Sequence, residues 1–433
     1  MSNRNSFATI SIAFCVIASA VAAFASGPEE QVLYAFTGKA DGGVPYAPLT
    51  LDAAGNLYGT TSRGGKNNVG TVFELSYSAE GWSESVLYHF AGTGNGKNPY
   101  SGVAFDASGN LYGSSRSGGS SNLGTIYELS NNGSSWTESG LLSFTYVHGG
   151  FTDGEQPSSL LVTKDGIFAT TIFGGNDYGN AIEIKAAGSG LTESVLYEFQ
   201  GTPDAYQPLF NYYGGGRLVA DQSGHLYGTA KGGVFGDAYG GAVFQLTSPS
   251  EHGQAWQESV VYSFDGTGGG SGSGYSPAGD LVVDDAGDLY GTTSEGGVSN
   301  SNCFATNGCG TVFELTPSAN GWTYTTLYEF TGGNDGATPV AGLVLDSAGN
   351  LYGVTEFGGI GGCINEQGEG CGTVFELTNS GSTWTESILH SFRGDNDGSF
   401  PTTNLIIDRL GRLYGTTGDG GEYHRGVVFG VIP

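Results

Sequence analysis

The side chains able to do chemistry are few and mostly acidic. Five aspartates, Asp41, Asp153, Asp335, Asp395 and Asp397, stand in Asp-Gly or Asn-Asp-Gly stretches, each followed within a few residues by proline. Ca2+ is held by several carboxylate and carbonyl oxygens, which makes Asp335 and Asp397 candidate Ca2+ ligands. The same runs are also ordinary turn sequences, in which Asp bonds its own backbone and Gly takes a positive φ. No other cofactor is expected.

Four cysteines form two local pairs, Cys303 with Cys309 and Cys363 with Cys371, in equivalent loops. Each pair is expected to be a disulfide closing a short loop, since no His accompanies the Cys and the spacings C-x5-C and C-x7-C are not those of common zinc motifs. The six histidines are scattered over outer strands, one turn and separate loops, and no pair has metal-ligand spacing. No nucleophile elbow marks a serine. An enzyme built from these residues would be a glycan-acting hydrolase or lyase with two carboxylates about 5 to 9.5 Å apart at a channel mouth.

The scaffold that positions these groups is a repeat. The stretch Asp52 to Gly65, DAAGNLYGTTSRGG, recurs seven times, its aromatic falling at Tyr58, Tyr112, Phe168, Tyr227, Tyr290, Tyr352 and Tyr414, at intervals of 54 to 63 residues. One unit reads as four strands: Pro48 to Leu51, Leu57 to Thr61, Thr71 to Leu75, and Trp82 to Phe90. They are rich in β-branched and aromatic residues, no sustained helical period appears, and turn signals separate them. Four antiparallel strands per unit repeated seven times make an all-β, seven-bladed β-propeller. The chain opens with a fourth strand, Gln31 to Phe36, and closes on a third, Gly426 to Val431, so residues 31–37 are expected to complete the blade begun at Pro401. Ring closure removes the unpaired edges a solenoid would have to cap.

Most repeated residues belong to this scaffold. Asp52, Asp106, Asp221, Asp284, Asp346 and Asp408 recur in six units with Val162 in the third, which suits a turn better than a reaction. Seven Gly pairs, 64–65 to 420–421, are expected to supply positive φ. Glu74, Glu128, Glu183, Glu314 and Glu376 share one register on the third strand, where burial would demand hydrogen-bond partners. Variation concentrates on the opposite face, in crossovers and in the loops between second and third strands, 16 residues long at Ser294 to Cys309 and Glu356 to Cys371. Variable, stapled loops on a rigid scaffold are where a binding site is expected.

The pattern D-x-x-G-N-L-Y-G-T-T-x-x-G-G…G-T-V-F-E-L, cleanest at Asp346 to Gly359 with Gly372 to Leu377, resembles the tandem repeat of the GloVer-type (choice-of-anchor) bacterial surface proteins. The resemblance spans essentially the whole chain after residue 25. It implies a secreted or surface-displayed repeat protein and carries no activity with it. A looser similarity to NHL and sensor-type propeller repeats supports the fold alone.

Residues 1–25 differ from the rest: Arg4 is their one charge and Phe7 to Ala25 is apolar, ending in Ala23-Phe24-Ala25. This reads as a secretory signal peptide cleaved after Ala25, leaving residues 26–433 as a single propeller domain, secreted or periplasmic and off the membrane. The net charge of -28 disfavours nucleic acid and anionic membrane surfaces, because such binding depends on Lys and Arg meeting phosphate. The expected protein is a monomeric, noncatalytic binding or scaffold propeller whose variable face, with Asp41, Asp153, Asp335, Asp395 and Asp397, engages a carbohydrate or protein.

Overall fold

The computed structural model describes residues 28–433 apart from 93, 134, 147–153, 188–189, 209–215, 234–239, 250–254, 266–273, 304–306, 365–368 and 382. It contains seven antiparallel sheets and, among the described residues, no helix long and apolar enough to cross a membrane. The signal-peptide expectation and Asp153 fall outside the described residues.

The protein is a seven-bladed β-propeller. A first strand, β1 (Glu29–Ala35), precedes blade one, which comprises β2 (Thr50–Leu51), β3 (Leu57–Thr61), β4 (Thr71–Ser78) and β5 (Gly81–His89) paired in sequence order. The seventh sheet is completed by β1, which pairs antiparallel with the last strand, Val427–Ile432, from Glu29 opposite Ile432 to Ala35 opposite Val427. The terminal exchange expected from the strand count therefore holds.

In blade one the inner strand is two residues, Thr50–Leu51, rather than the four the sequence suggests, whereas in blade five it runs ten residues, Gly274–Val283. In blades three and four the inner strand splits into two pieces, Glu155–Pro157 with Leu161–Val162 and Tyr206–Pro208 with Val219–Ala220. The residue just before each crossover Pro adopts a positive φ in every blade: Val44, Asn98, Gln156, Gln207, Ser276, Thr338 and Phe400 lie between 48° and 60°.

Aromatic edge-to-face contacts lock neighbouring blades. Phe36, closing the outer strand of blade seven, meets Phe73 of blade one at 5.1 Å, and Phe199–Phe244, Phe264–Phe313, Phe330–Phe375 and Phe392–Phe429 repeat the contact. Such pairs add about 0.5–1.5 kcal/mol beyond their buried area. They also explain the Gly of L-Y-G: a Cβ on Gly59 would lie 2.6 Å from the Phe73 ring. In blade three the ring is replaced by Ile182, and the residue opposite it is Ala169.

The turn after the inner strand is held by its first residue, as expected: Asp52 Oδ1 accepts the amides of Ala54 and Asn56. In blade three the register pairs Val162 with Ile167, so Thr163, one residue later than the sequence alignment implied, takes the Asp place. Six Gly pairs have positive φ, whereas Gly232 and Gly233 do not. The third-strand glutamates find their partners across the hairpin, with the Tyr58 hydroxyl 2.9 Å from Glu74 and 3.2 Å from Asp52, and Tyr352 bonded likewise to Glu376 and Asp346.

Candidate functional site

Both cysteine pairs form disulfides, Cys303–Cys309 and Cys363–Cys371, closing loops of sequence separation 6 and 8 on the variable face. Each packs on the crossover leading to the next blade, against Gly332 and Gly394.

Of the aspartates singled out from the sequence, Asp41, Asp335 and Asp397 turn carboxylate oxygens onto their own crossovers, while Asp395 is exposed. Asp41 accepts from the Thr37 amide (2.7 Å), the Thr37 hydroxyl (2.5 Å), the Lys39 amide and the Tyr34 hydroxyl. Asp335 repeats this with the Thr331 amide and hydroxyl and Tyr328, and Asp397 accepts from the Arg393 amide beside His390. Asp395 contributes its backbone carbonyl to Gly421. They hold separate loops rather than converging, and among the described residues no three His, Cys, Asp or Glu side chains gather as a metal site needs.

Behind Asp41 and Asp335 stands a glutamate from the outer strand of the following blade. Burial, then the facing Asp41 carboxylate, pushes Glu84 up to about 7, and burial with Asp335 does the same to Glu386. Asp204, the equivalent residue of the crossover from blade three to blade four, bonds Tyr197 and the Gln200 amide, and burial, then this carboxylate, holds Glu258 well above the ordinary carboxylate range.

The convergent polar groups lie on the axis. The residue four before each turn Asp or Thr is Pro48, Gly102, Ser159, Arg217, Asp280, Gly342 and Asn404 in blades one to seven. Asp280 sits within the register shift between Ala278 and Val282, a bulge that re-aims its side chain, and is 3 % exposed. Its Oδ1 accepts the amides of Gly216 and Arg217 at 2.9 and 2.8 Å, and its Oδ2 accepts Asn404 Nδ2 at 2.6 Å with Arg217 Nε at 3.5 Å. Asn404 Oδ1 in turn accepts the Gly342 amide. Blades five and seven are not neighbours, so these residues can meet only at the axis. Arg217 remains exposed to solvent.

Toward the variable face, the residue after the crossover proline is aromatic in the first two blades. Tyr46 and Tyr100 stack at 5.9 Å with rings 10° from parallel, and the Arg116 guanidinium lies 5.7 Å from the Tyr100 ring while its Nε donates to Gln156. Tyr46 also packs over Gly418 of blade seven and feels Glu356 of blade six, so this platform too lies beside the axis. Burial, then Asp419 and other neighbours, raises the Tyr46 hydroxyl, keeping it neutral.

Comparison with known proteins decides the family. The model of the Gloeobacter/Verrucomicrobia repeat matches residues 19–209 and 302–433. The chain belongs to the Gloeobacter/Verrucomicrobia repeat family. No curated protein sequence matches it. Among solved structures it is similar to a protein from Lactobacillus plantarum, at 15 % identity over 81 % of this chain and 85 % of that one, with a TM-score of 0.50. Others are a gluconolactonase from Xanthomonas campestris (13 % identity, 93 % and 89 % covered, TM-score 0.41) and a protein of unknown function from Dyadobacter fermentans (12 %, 94 % and 98 %, 0.43). At such identities the likeness to the first speaks to fold alone.

Within this Gloeobacter/Verrucomicrobia repeat propeller, the sequence reading looked to the outer crossovers and passed over Arg217, Asp280 and Asn404. A signal was present. At the position four before the turn, four blades carry Pro, Gly, Ser and Gly, and three carry side chains that can reach across an axis.

Proposed function

We propose that this repeat propeller is an exported, noncatalytic binding or scaffold protein whose variable face takes a neutral carbohydrate chain, with a protein partner as the second candidate. The stacked Tyr46–Tyr100 pair under Arg116, beside the channel axis, carries this reading. Flat aromatic surface with a few placed polar groups is how proteins seat an amphipathic ligand: a sugar's C–H face rests on the ring and its hydroxyls meet Arg116 and Gln156. Charge supports neutrality, because a chain of net charge -28 repels polyanions. Paired disulfides and the apolar leader sequence support export.

Noncatalytic action is supported by the axial carboxylate, since Asp280 accepts hydrogen bonds at both oxygens from neighbours that fix it in place. The test is a glycan array probed with residues 26–433 and with Tyr100→Ala, scored for retention and for cleavage. Retention of neutral glycans that Tyr100→Ala loses, without cleavage, is expected. Cleavage would establish a hydrolase or lyase instead, and silence on every glycan would leave the protein partner.

A further inference from the structure

On the face carrying the Asp-held turns, opposite the variable loops, the seam between blades three and four has lost most of the polar side chains that stand there in sibling blades. In blades one and six the second-strand Tyr hydroxyl bridges the turn Asp and the third-strand Glu, as Tyr58 does for Asp52 and Glu74 and Tyr352 for Asp346 and Glu376. The residue two before that Tyr adds a further group, Asn56 and Asn350 donating to the same Asp. Blade three keeps one member of this set. Thr163 stands for the Asp, Gly166 for the Asn and Phe168 for the Tyr, and Glu183 remains, opposite Phe168 in the strand register.

A cavity of about 520 Å3 lies at this seam. Its wall includes Phe168 and Trp256, whose rings are 6.3 Å apart at 61°, together with Ala220, Leu226 and Glu183. A space of this size suits a small molecule. A Cβ built on Gly166 would lie 3.0 Å from the Phe168 ring and 3.3 Å from Glu183 Oε1, so an occupant of this corner meets ring and carboxylate together. Glu183 already draws a cation there, the exposed ammonium of Lys185 at 3.0 Å. Exposed pairs of this kind are weak and readily exchanged.

Blade seven shows what such a corner holds. The residue two before its ring is Arg412, whose guanidinium lies 5.8 Å from the Tyr414 ring, donates from Nε to Asp408 at 2.7 Å, and lines a cavity of about 340 Å3 beside Trp82. Carboxylate and ring act together on that group, one through a charge-assisted hydrogen bond and the other through its negative face. Blade three offers the same ring, Trp and carboxylate, with Gly166 where Arg412 would be.

We infer that the seam between blades three and four binds a small molecule carrying a guanidinium group, seated between Glu183 and the rings of Phe168 and Trp256. This site is separate from the Tyr46–Tyr100 platform on the other face. The net charge of -28 draws cations toward it.

The test titrates phenylguanidinium and its neutral counterpart phenylurea into the protein. Phenylguanidinium is expected to shift the Trp256 indole N–H and the Leu226 methyls, and phenylurea to bind about tenfold more weakly, the ratio a partly desolvated cation–ring and carboxylate contact implies. Glu183→Gln is expected to bring phenylguanidinium down to the level of phenylurea while leaving phenylurea unchanged. Gly166→Arg, which supplies the guanidinium in cis as blade seven does, is expected to abolish the response. Phe168→Tyr is a second variant, the residue that sibling blades carry, and is expected to weaken binding by engaging Glu183 with its hydroxyl. The inference is overturned by equal binding of the two probes, by phenylguanidinium binding that survives Glu183→Gln at full strength, or by undisturbed Trp256 and Leu226 signals. Methyl glucoside shifting the same signals at lower concentration than phenylguanidinium would make this a carbohydrate seat and overturn the cationic class.

Discussion

Asn404 of blade seven donates to Asp280 of blade five across a distance of 2.6 Å, passing over blade six, whose Gly342 amide it binds with its other end. A single side chain thereby ties three blades together at the axis.

Removing that acceptor is expected to be expensive. Asp280→Ala would leave the amides of Gly216 and Arg217 and the Asn404 side chain without their acceptor in a buried site. Each orphaned donor costs about 1–3 kcal/mol, so a loss of about 3 kcal/mol or more is expected by urea denaturation. Arg217→Ala should lose far less, since its side chain is about half exposed and its backbone amide remains. Equal losses for the two variants would show that the guanidinium, rather than the carboxylate, holds the axis.

Stability should fall as pH rises from about 4.5 to about 7. Glu84 and Glu386 have folded values pushed up to about 7 from the ordinary glutamate value of 4.5, by burial and by the Asp41 and Asp335 carboxylates that face them. In this window the folded state holds protons that the unfolded chain has released, so raising pH favours unfolding; below the unfolded value the contribution is fully present, and above the folded value it is lost. Melting temperatures in constant ionic strength from pH 4.5 to 8 check the slope. Glu84→Gln with Glu386→Gln is expected to flatten it and raise the melting temperature at pH 8; an unchanged slope would rule these pairs out as its source.

The disulfides should act locally. In the chain-entropy account a closed loop of this length contributes about 2–3 kcal/mol, so Cys363→Ser with Cys371→Ser is expected to lower stability by about that amount with the circular dichroism of the folded state unchanged.

Gly332→Ala is expected to displace the other staple, because a new Cβ would sit 2.6 Å from Cys309 Sγ at a backbone φ of +76°. The strain should appear as faster reduction of Cys303–Cys309 by dithiothreitol than in the parent protein. Equal reduction rates would show that the crossover yields instead.

Fold was legible in the sequence because every blade repeats the same local physics. Turn Asp, Tyr, Gly and the TVFEL strand recur in register, so the count of strands and the exchange of Glu29–Ala35 onto Val427–Ile432 could be read directly. The site was not, for a physical reason: its residues lie far apart in the chain and meet only because a ring brings position 404 back to position 280. Asp41 and Asp335 stood out instead because Asp-Gly draws the eye. Their hydrogen bonds to Thr37 and Thr331 are made within one loop, the scale at which local sequence specifies structure. The misplaced Val162 has a similar origin, since a turn one residue shorter shifts the alignment while Thr163 does the same work in space.

The ladder that closes the ring has a consequence for force. Glu29 and Ile432 are paired at one end of that ladder, so the strands leave the blade side by side on the turn face. Tension applied between them loads one hydrogen-bonded pair at a time, peeling Glu29–Ala35 from the last strand, whereas sliding the strands lengthwise would load the whole ladder together. A protein held by one end therefore keeps its variable loops pointing away from the support and feels no load across the closure, but a pull on both ends opens the ring at its weakest geometry.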